Sequence, residues 1–363
     1  MKSKLIICID GLGRDLISRE NTPFLYEFGI KNSLSELETL FAFTGIEYCF
    51  FSGKNPDEID LWLEFAKEEN SIFNSLLIKW FGIGKLKSYI GAILQLANKR
   101  TWMSGLYHIP KNKTKYFDTS AKEGLWKLDF FKNKSFSFYK WPFFVTEKKK
   151  KLIFKYENDE DRMKRILSEK NKEIYYTQLM SIDKTLHKFG KGSREINTEL
   201  KKMDKLMEKY IQYFLSKNPD GEIFLWGDHS LANINNYIDI QKMLPKSREY
   251  LSFIEGTTAC FWFKNEEIRK RIIEAIKRNR EIKILDPVKA KEYHIPLSKK
   301  YGELVAYVKK GNYFFPNFYQ KKGTEKFVAM HGYPDNKEMN GVVITNKKLP
   351  KKLKMNEMVK YLT

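Results

Sequence analysis

The apolar residues fall in short blocks, and the first, Leu5-Ile-Ile-Cys-Ile9, is continuously hydrophobic until Asp10 stops it. That length suits a strand buried on both faces. Gly11-Leu-Gly13 then turns the chain into a helix expected over residues 14–17 and onward to about 28. A second such block, Gly221-Glu-Ile-Phe-Leu-Trp226, is ended by Gly227-Asp228-His229 and followed by Asn-rich turns. Two buried strands that each end in metal-ligating residue types predict an open α/β sheet, in which sites collect beyond the carboxyl ends of the strands.

Helical spacing is expected over 160–187 and 196–215, ending at Gly190 and at Asn218-Pro219. Between 64 and 159 aromatic and basic residues interleave without βα alternation, as in Phe130-Phe131-Lys132-Asn133-Lys134-Ser135-Phe136, which predicts an insertion over the sheet. From 251 to 319 a strand at 259–263, a helix at 266–278 and strands at 282–285 and 304–308 predict a small α+β subdomain. The catalytic core is accordingly expected in 1–63, 160–250 and 320–363.

Composition adds boundaries. With 42% hydrophobic and 15% aromatic residues, 363 residues can bury a large core. Cys8, Cys49 and Cys260 are too few and too scattered for a disulfide framework or a thiolate metal site, which points to a reducing compartment. The opening apolar run is too short for a signal peptide, so a cytoplasmic location is expected, with the inner face of a membrane as the surface within reach. A net charge of +21 favours anionic partners such as phosphate esters, nucleic acids or acidic lipid. A lysine-rich, isoleucine-rich composition of the kind found in thermophilic or low-GC proteomes is the competing source of that charge.

Histidine is scarce: His108, His187, His229, His294 and His331 are the whole set. Asp183-Lys-Thr-Leu-His187 puts a carboxylate and an imidazole one helical turn apart, where both reach one cation. Alone, the pair reads equally as an exposed ion pair. Asp228-His229 follows a strand broken at Gly227, and Asp10 ends the first strand; each alone also reads as a helix cap. Together Asp10, Asp183, His187, Asp228, His229 and His331 offer three carboxylates and three imidazoles, the donors that suit two zinc-like cations. His108 and His294 lack such neighbours and are expected to be structural. Gly11-Leu-Gly13 lacks the third glycine that a dinucleotide loop requires.

The order of these pieces resembles the type I phosphodiesterase/nucleotide pyrophosphatase branch of the alkaline phosphatase superfamily. Ile6-Ile-Cys-Ile-Asp10-Gly-Leu-Gly13 resembles its opening strand and first metal Asp. Phe43-Thr44-Gly-Ile-Glu-Tyr-Cys-Phe-Phe-Ser-Gly53-Lys-Asn-Pro56-Asp-Glu58 resembles its nucleophile segment. Asp183-x-x-x-His187-x-x-Gly190, Gly227-Asp228-His229-Ser230 and Met330-His331-Gly332-Tyr333 resemble its remaining ligand motifs. Tyr301-Gly-Glu303 and Gly311-Asn-Tyr-Phe-Phe-Pro316 are similar to a bacterial and archaeal subgroup of uncertain substrate.

The resemblance implies an alkaline-phosphatase-like three-layer core with a mostly parallel sheet, and two divalent metal ions, zinc or else manganese. It implies that Asp183, His187 and His331 hold the cation that prepares water. Asp10, Asp228 and His229 would hold the one that activates Thr44 for in-line attack, through a phospho-threonine. It implies hydrolysis of a phosphodiester or pyrophosphate in an anionic phosphate-ester substrate, a nucleotide-sugar or glycan-linked phosphate among the candidates. A phosphomonoesterase, phosphonate hydrolase, sulfatase-like enzyme or phosphoglycerol-type transferase would use a similar site, and a non-catalytic nucleic-acid or membrane-surface binder is the rival from another class.

The chain departs from the family at Glu47, where the family often has Asn, and at Ile59, where it has His. A carboxylate cannot donate a hydrogen bond unless protonated, so Glu47 either points away, receives a donor from substrate, or lies beside a cation from the basic insertion. Residues 80–100 read as a cap helix or as a basic amphipathic helix on an acidic membrane, the cap being preferred. Residues 130–144 read as a lid or insertion core in preference to a base-stacking surface, since no nucleic-acid motif accompanies them, and nucleic acid is not expected as partner. The Lys148–Lys151 run is expected to be a solvated turn.

Overall fold

The computed structural model describes residues 2–363 except 42–44, 82–83, 102–104, 107–108, 154, 297 and 335–336. One sheet of nine strands carries the fold, in the order Lys352–Lys354, Ser33–Glu38, Gly341–Thr345, Glu222–Gly227, Lys4–Ile9, Ile174–Leu179, Phe136–Lys140, Phe143–Thr146, Lys150–Leu152. The four strands from Glu222–Gly227 to Phe136–Lys140 run parallel, and antiparallel strands flank them on both sides.

Every residue of Glu222–Gly227 and Ile174–Leu179 is buried, as parallel strands require when both faces of a sheet are covered. Alternate side chains serve different cores. Leu5, Ile7, Ile9, Ile223 and Leu225 face a cluster that includes Leu186, Leu200, Met203, Met207 and Phe214 from the helices Ser181–Phe189 and Arg194–Lys217. Ile6, Cys8, Phe224 and Trp226 face the cluster under the helix Ile46–Ser52, where Phe50 stacks on Trp226 at 3.9 Å between ring centroids. The result is the expected α/β core of helix, sheet and helix layers.

The expectations fail in three places. Residues 160–187 are not one helix: the helix Asp159–Leu167 ends, Asn171 takes φ 55°, and Ile174–Leu179 forms a strand before the helix Ser181–Phe189. Ile174-Tyr-Tyr-Thr is rich in the β-branched and aromatic residues that fit a pleated, packed surface, and that preference overrides the apparent helical spacing.

Residues 136–152, placed with the insertion, instead form three strands of the main sheet, with Phe136 opposite Ile174 and Tyr139 opposite Thr177. Phe138 is fully buried on Tyr176, at 4.9 Å between centroids. Finally, the opening helix divides: a single 3-10 turn at Arg14–Leu16 precedes a separate helix, Pro23–Lys31. Pro23 sits where a missing N–H costs nothing, and the buried Asp204 carboxylate accepts from the Phe24 and Leu25 amides at 3.0 and 2.9 Å, starting the helix there.

Beyond the sheet, Tyr250–Ile254, Thr258–Phe263, Leu304–Val308 and Ile282–Ile284 pair in that order as an antiparallel sheet, with the helix Glu266–Lys277 packed beside it.

Candidate metal centre

Three neighbouring parallel strands deliver the polar residues. Cys8 lies opposite Trp226 and Ile9 opposite Leu179, so continuing the register sets Asp10 level with Asp228, and Asp183 follows one turn into the next helix. The Asp183 amide donates to the Asp10 carbonyl at 3.1 Å, joining the helix start to the strand end. That junction needs Gly11, whose φ is +77° and whose Cα faces Asp183 so closely that a Cβ would stand 2.9 Å from the Asp183 Cα. Gly227 has the same role beside the first strand: a Cβ there would lie 1.8 Å from the Leu12 carbonyl oxygen.

The two aspartates are each half satisfied. Gln178 Nε2 donates to Asp10 Oδ2 at 2.7 Å, and the Gly11 and His229 amides both donate to Asp228 Oδ1 at 3.1 Å. Asp10 Oδ1 and Asp228 Oδ2 both turn to His229 Nε2, at 3.5 and 3.6 Å. These separations are long for hydrogen bonds. They are close to the roughly 3.4 Å between donor atoms placed about 2.1 Å from one tetrahedral cation.

His229 is buried, and its Nδ1 meets no hydrogen-bond partner among the described residues. Its ring stacks on that of His331 at 3.9 Å, and the His331 ring lies 5.3 Å from that of His187. His187 Nδ1 lies 2.9 Å from the Ala329 carbonyl, which selects the tautomer that leaves Nε2 free to bind, 3.2 Å from Asp183 Oδ1. Two sets of three therefore have donor atoms within 4.8 Å of one another: Asp10, Asp228 and His229, and Asp183, His229 and His331.

The charges of these groups act strongly on one another. Burial, with the charges of Asp228 and Asp183, pushes the Asp10 carboxyl well up. Burial would raise Asp183 too, but His187, His331 and His229 hold it below the usual carboxylate range. Burial opposes the His187 imidazolium, yet Asp183 holds its pKa above the ordinary value. Burial and the neighbouring His229 and His187 drive His331 well down. Three carboxylates and three imidazoles crowded in one largely buried cluster fit one or two divalent cations.

The six residues line one cavity of about 760 Å³. Thr44 lies outside the described residues, as does His108; the next residue, Gly45, takes φ 108° and lines the cavity with Ile46 and Glu47. Of the three arrangements open to Glu47, the third is found: Lys140 donates to its carboxylate, and so does the Tyr176 hydroxyl. Burial brings the Lys140 ammonium down to about 8, against the pull of Cys8, Asp10 and Asp228. His294 stands apart, 3.4 Å from Asp57.

Sequence reasoning missed Gln178, Tyr176 and Lys140 because all three sit on strands it did not recognise. The alternating Phe136-Ser-Phe-Tyr-Lys140 pattern was the available signal. It also missed the far wall of the cavity, where the Tyr319 hydroxyl lies 2.7 Å from Glu64 Oε2 and 3.2 Å from Glu255 Oε1.

This fold, with two Asp/His groups at the carboxyl ends of its parallel strands, is that of a metal-dependent hydrolase of the alkaline-phosphatase-like class. The model of the family "Type I phosphodiesterase / nucleotide pyrophosphatase" matches residues 79–334, well over half of the chain, and the protein belongs to that family. The matched segment holds Asp183, His187, Asp228, His229 and His331, and begins after Asp10 and Thr44.

Among solved structures, human ectonucleotide pyrophosphatase/phosphodiesterase 5 is similar over 100% of this chain and 94% of its own, with TM-score 0.71 and 14% identity. The murine protein of the same name, in an inactive form in complex with AMP, is similar over the same shares with TM-score 0.66 and 14% identity. No curated protein sequence matches the chain significantly.

Proposed function

We propose that the enzyme cleaves phosphodiester or pyrophosphate bonds by in-line attack of Thr44 at phosphorus. Asp10, Asp228 and His229 would hold one divalent cation; Asp183 and His331, with His187 in place of the His229 they also lie near, would hold a second, His187 Nε2 being 3.2 Å from Asp183 Oδ1, with zinc favoured by the donor set and manganese as the alternative. The cations would supply charge stabilisation for the attacking and leaving oxygens. The Thr44 Oγ–phosphorus bond forms as the bond to the leaving oxygen breaks. The Thr44 proton goes to the departing alcohol, water then attacks the phospho-threonine, which still carries the other ester group, and a proton from that water returns to Thr44 Oγ as the phosphate monoester is released.

The observation that carries this reading is the shared orientation of Asp10 Oδ1 and Asp228 Oδ2 toward a buried His229, on the same cavity wall as the residues that follow Thr44. In support, an inactive form of the murine relative carries a threonine-to-alanine substitution and binds AMP. A nucleotide-like ester suits this cavity as well, because Glu64 and Tyr319 offer polar partners for sugar hydroxyls, as in a nucleotide-sugar.

The test is hydrolysis of bis-p-nitrophenyl phosphate and p-nitrophenyl phosphate by protein loaded with zinc or manganese, with Thr44→Ala beside it. Diester cleavage that disappears in Thr44→Ala is expected; undiminished cleavage by that variant would remove Thr44 as nucleophile.

A further inference from the structure

The helix Gly84–Ala97 is amphipathic with its apolar stripe turned outward. Its inner face is occupied: Ile90 and Leu94 pack on the main core, Gly91 fits against Leu106, and the buried Lys87 donates to the Ile109 carbonyl. On the outer face Leu86, Tyr89, Ile93 and Leu96 recur at three- and four-residue spacing, so they align along one side. Leu86, Tyr89 and Ile93 are 51%, 68% and 62% exposed, and Leu76 in the preceding helix, Leu76–Phe81, is 69% exposed. Soluble surfaces seldom leave so many large apolar side chains together.

The charge along this segment of the sequence is one-sided. Between Glu69 and Asp118 the chain carries eight lysine or arginine residues and no acid. Arg100 is taken by Asp118 and Lys113 by Ser252, while Lys79, Lys99 and Lys115 are exposed.

We propose that this face docks on an anionic bilayer, the outward leucine, tyrosine and isoleucine side chains entering the headgroup boundary and the acid-free basic segment meeting the acidic lipids. Apolar insertion and cation attraction reinforce one another in this mode. A single-stranded nucleic acid would use the cations but has little use for aliphatic side chains. The proposal stands independently of the catalytic reading.

The test is flotation of the full chain with vesicles of phosphatidylcholine alone or with about 30% phosphatidylglycerol. Expected is at least about tenfold stronger binding to the anionic vesicles, weakened by roughly 0.5 M salt. A double variant, Leu86→Glu with Ile93→Glu, should lose about tenfold, and Tyr89→Ser a smaller part, with thermal melting followed by circular dichroism confirming that both remain folded. Wild-type protein that ignores both vesicles, or a folded double variant that floats as well as wild type, would overturn the proposal. So would a wild-type dimer that the double variant splits while neither binds vesicles, since the face would then be an interface between copies.

Discussion

Lys140 and Glu47 form an ion pair on the wall of the metal-centre cavity, although 93 positions and an entire insertion separate them in the chain. The pair exists because Phe136–Lys140 is a strand of the main sheet that ends at the same edge as Asp10 and Asp228. Where the family resemblance leads one to expect Asn, this chain has a carboxylate paired with an ammonium. We propose that Lys140 is the phosphate donor on this wall.

Lys140→Ala should accordingly lower kcat/KM for a phosphodiester by about tenfold or more, as the loss of an electrostatic donor does. Lys140→Arg should retain most of it below pH 8. The ammonium is charged below about 8 and lost above, so the deficit of Lys140→Ala should shrink at pH 9 while Lys140→Arg keeps its activity there. A pH-rate profile of the three proteins reads this directly, and a deficit independent of pH would assign Lys140 a packing role.

Glu47→Gln should act in the opposite direction on binding. Removing the carboxylate leaves the Lys140 charge unneutralised while the Tyr176 hydroxyl retains an acceptor in the amide oxygen. KM for an anionic ester should fall severalfold, with the effect fading at high salt. An unchanged KM would mean that substrate does not approach this wall.

Much of the site was legible because ligand chemistry is written in residue types. Asp10, Asp228 and His229 follow apolar blocks whose length and abrupt polar ending mark buried strands, and Asp183 and His187 keep a helical interval in the sequence. What hid was topology. Ile174–Leu179 looked helical by spacing, and Phe136–Lys140 looked like an insertion, because strand membership depends on partners far along the chain. Gln178 and Lys140 became visible as site residues only when register placed them beside Asp10 and Glu47.

Cation removal should destabilise the whole fold. Asp10, Asp183 and Asp228 are buried together, and a chelator leaves their mutual repulsion uncompensated. Zinc at about a hundredfold over its dissociation constant would add about 2.7 kcal/mol, or roughly 3.5 °C in Tm for a chain of this size. Differential scanning calorimetry with and without chelator should show that shift in wild type and little of it in His229→Ala. Magnesium should restore less than zinc, since imidazole donors suit the borderline cation.

Gly11→Ala should disable catalysis through geometry alone. A side chain at φ +77° costs roughly 1–2 kcal/mol, and the Cβ would press on the Asp183 backbone that the Asp10 carbonyl holds. The expected result is a modest fall in Tm with a much larger fall in zinc affinity, measured by calorimetric titration. Equal affinity in the variant would show that the Asp10–Asp183 junction does not set the ligand positions.

Glu255 gives the fold a pH dependence of its own, through a carboxyl that holds none of the proposed cations. Burial and the charge of Glu64 raise its carboxyl from 4.5 to about 8. Between those values the folded chain holds a proton that the unfolded chain has released, so the unfolded state binds fewer protons and stability falls as pH rises. Below about 4.5 both states are protonated and the effect vanishes; above about 8 it has run its full course. Glu255→Gln removes this contribution while its single amide oxygen still accepts from one of Thr258 and Tyr319, which reach different carboxylate oxygens. Urea unfolding from pH 5 to pH 9 should therefore show wild type losing stability relative to the variant, with the gap widening through neutral pH and levelling off near pH 9. Parallel curves would mean that Glu255 ionises as an ordinary carboxylate.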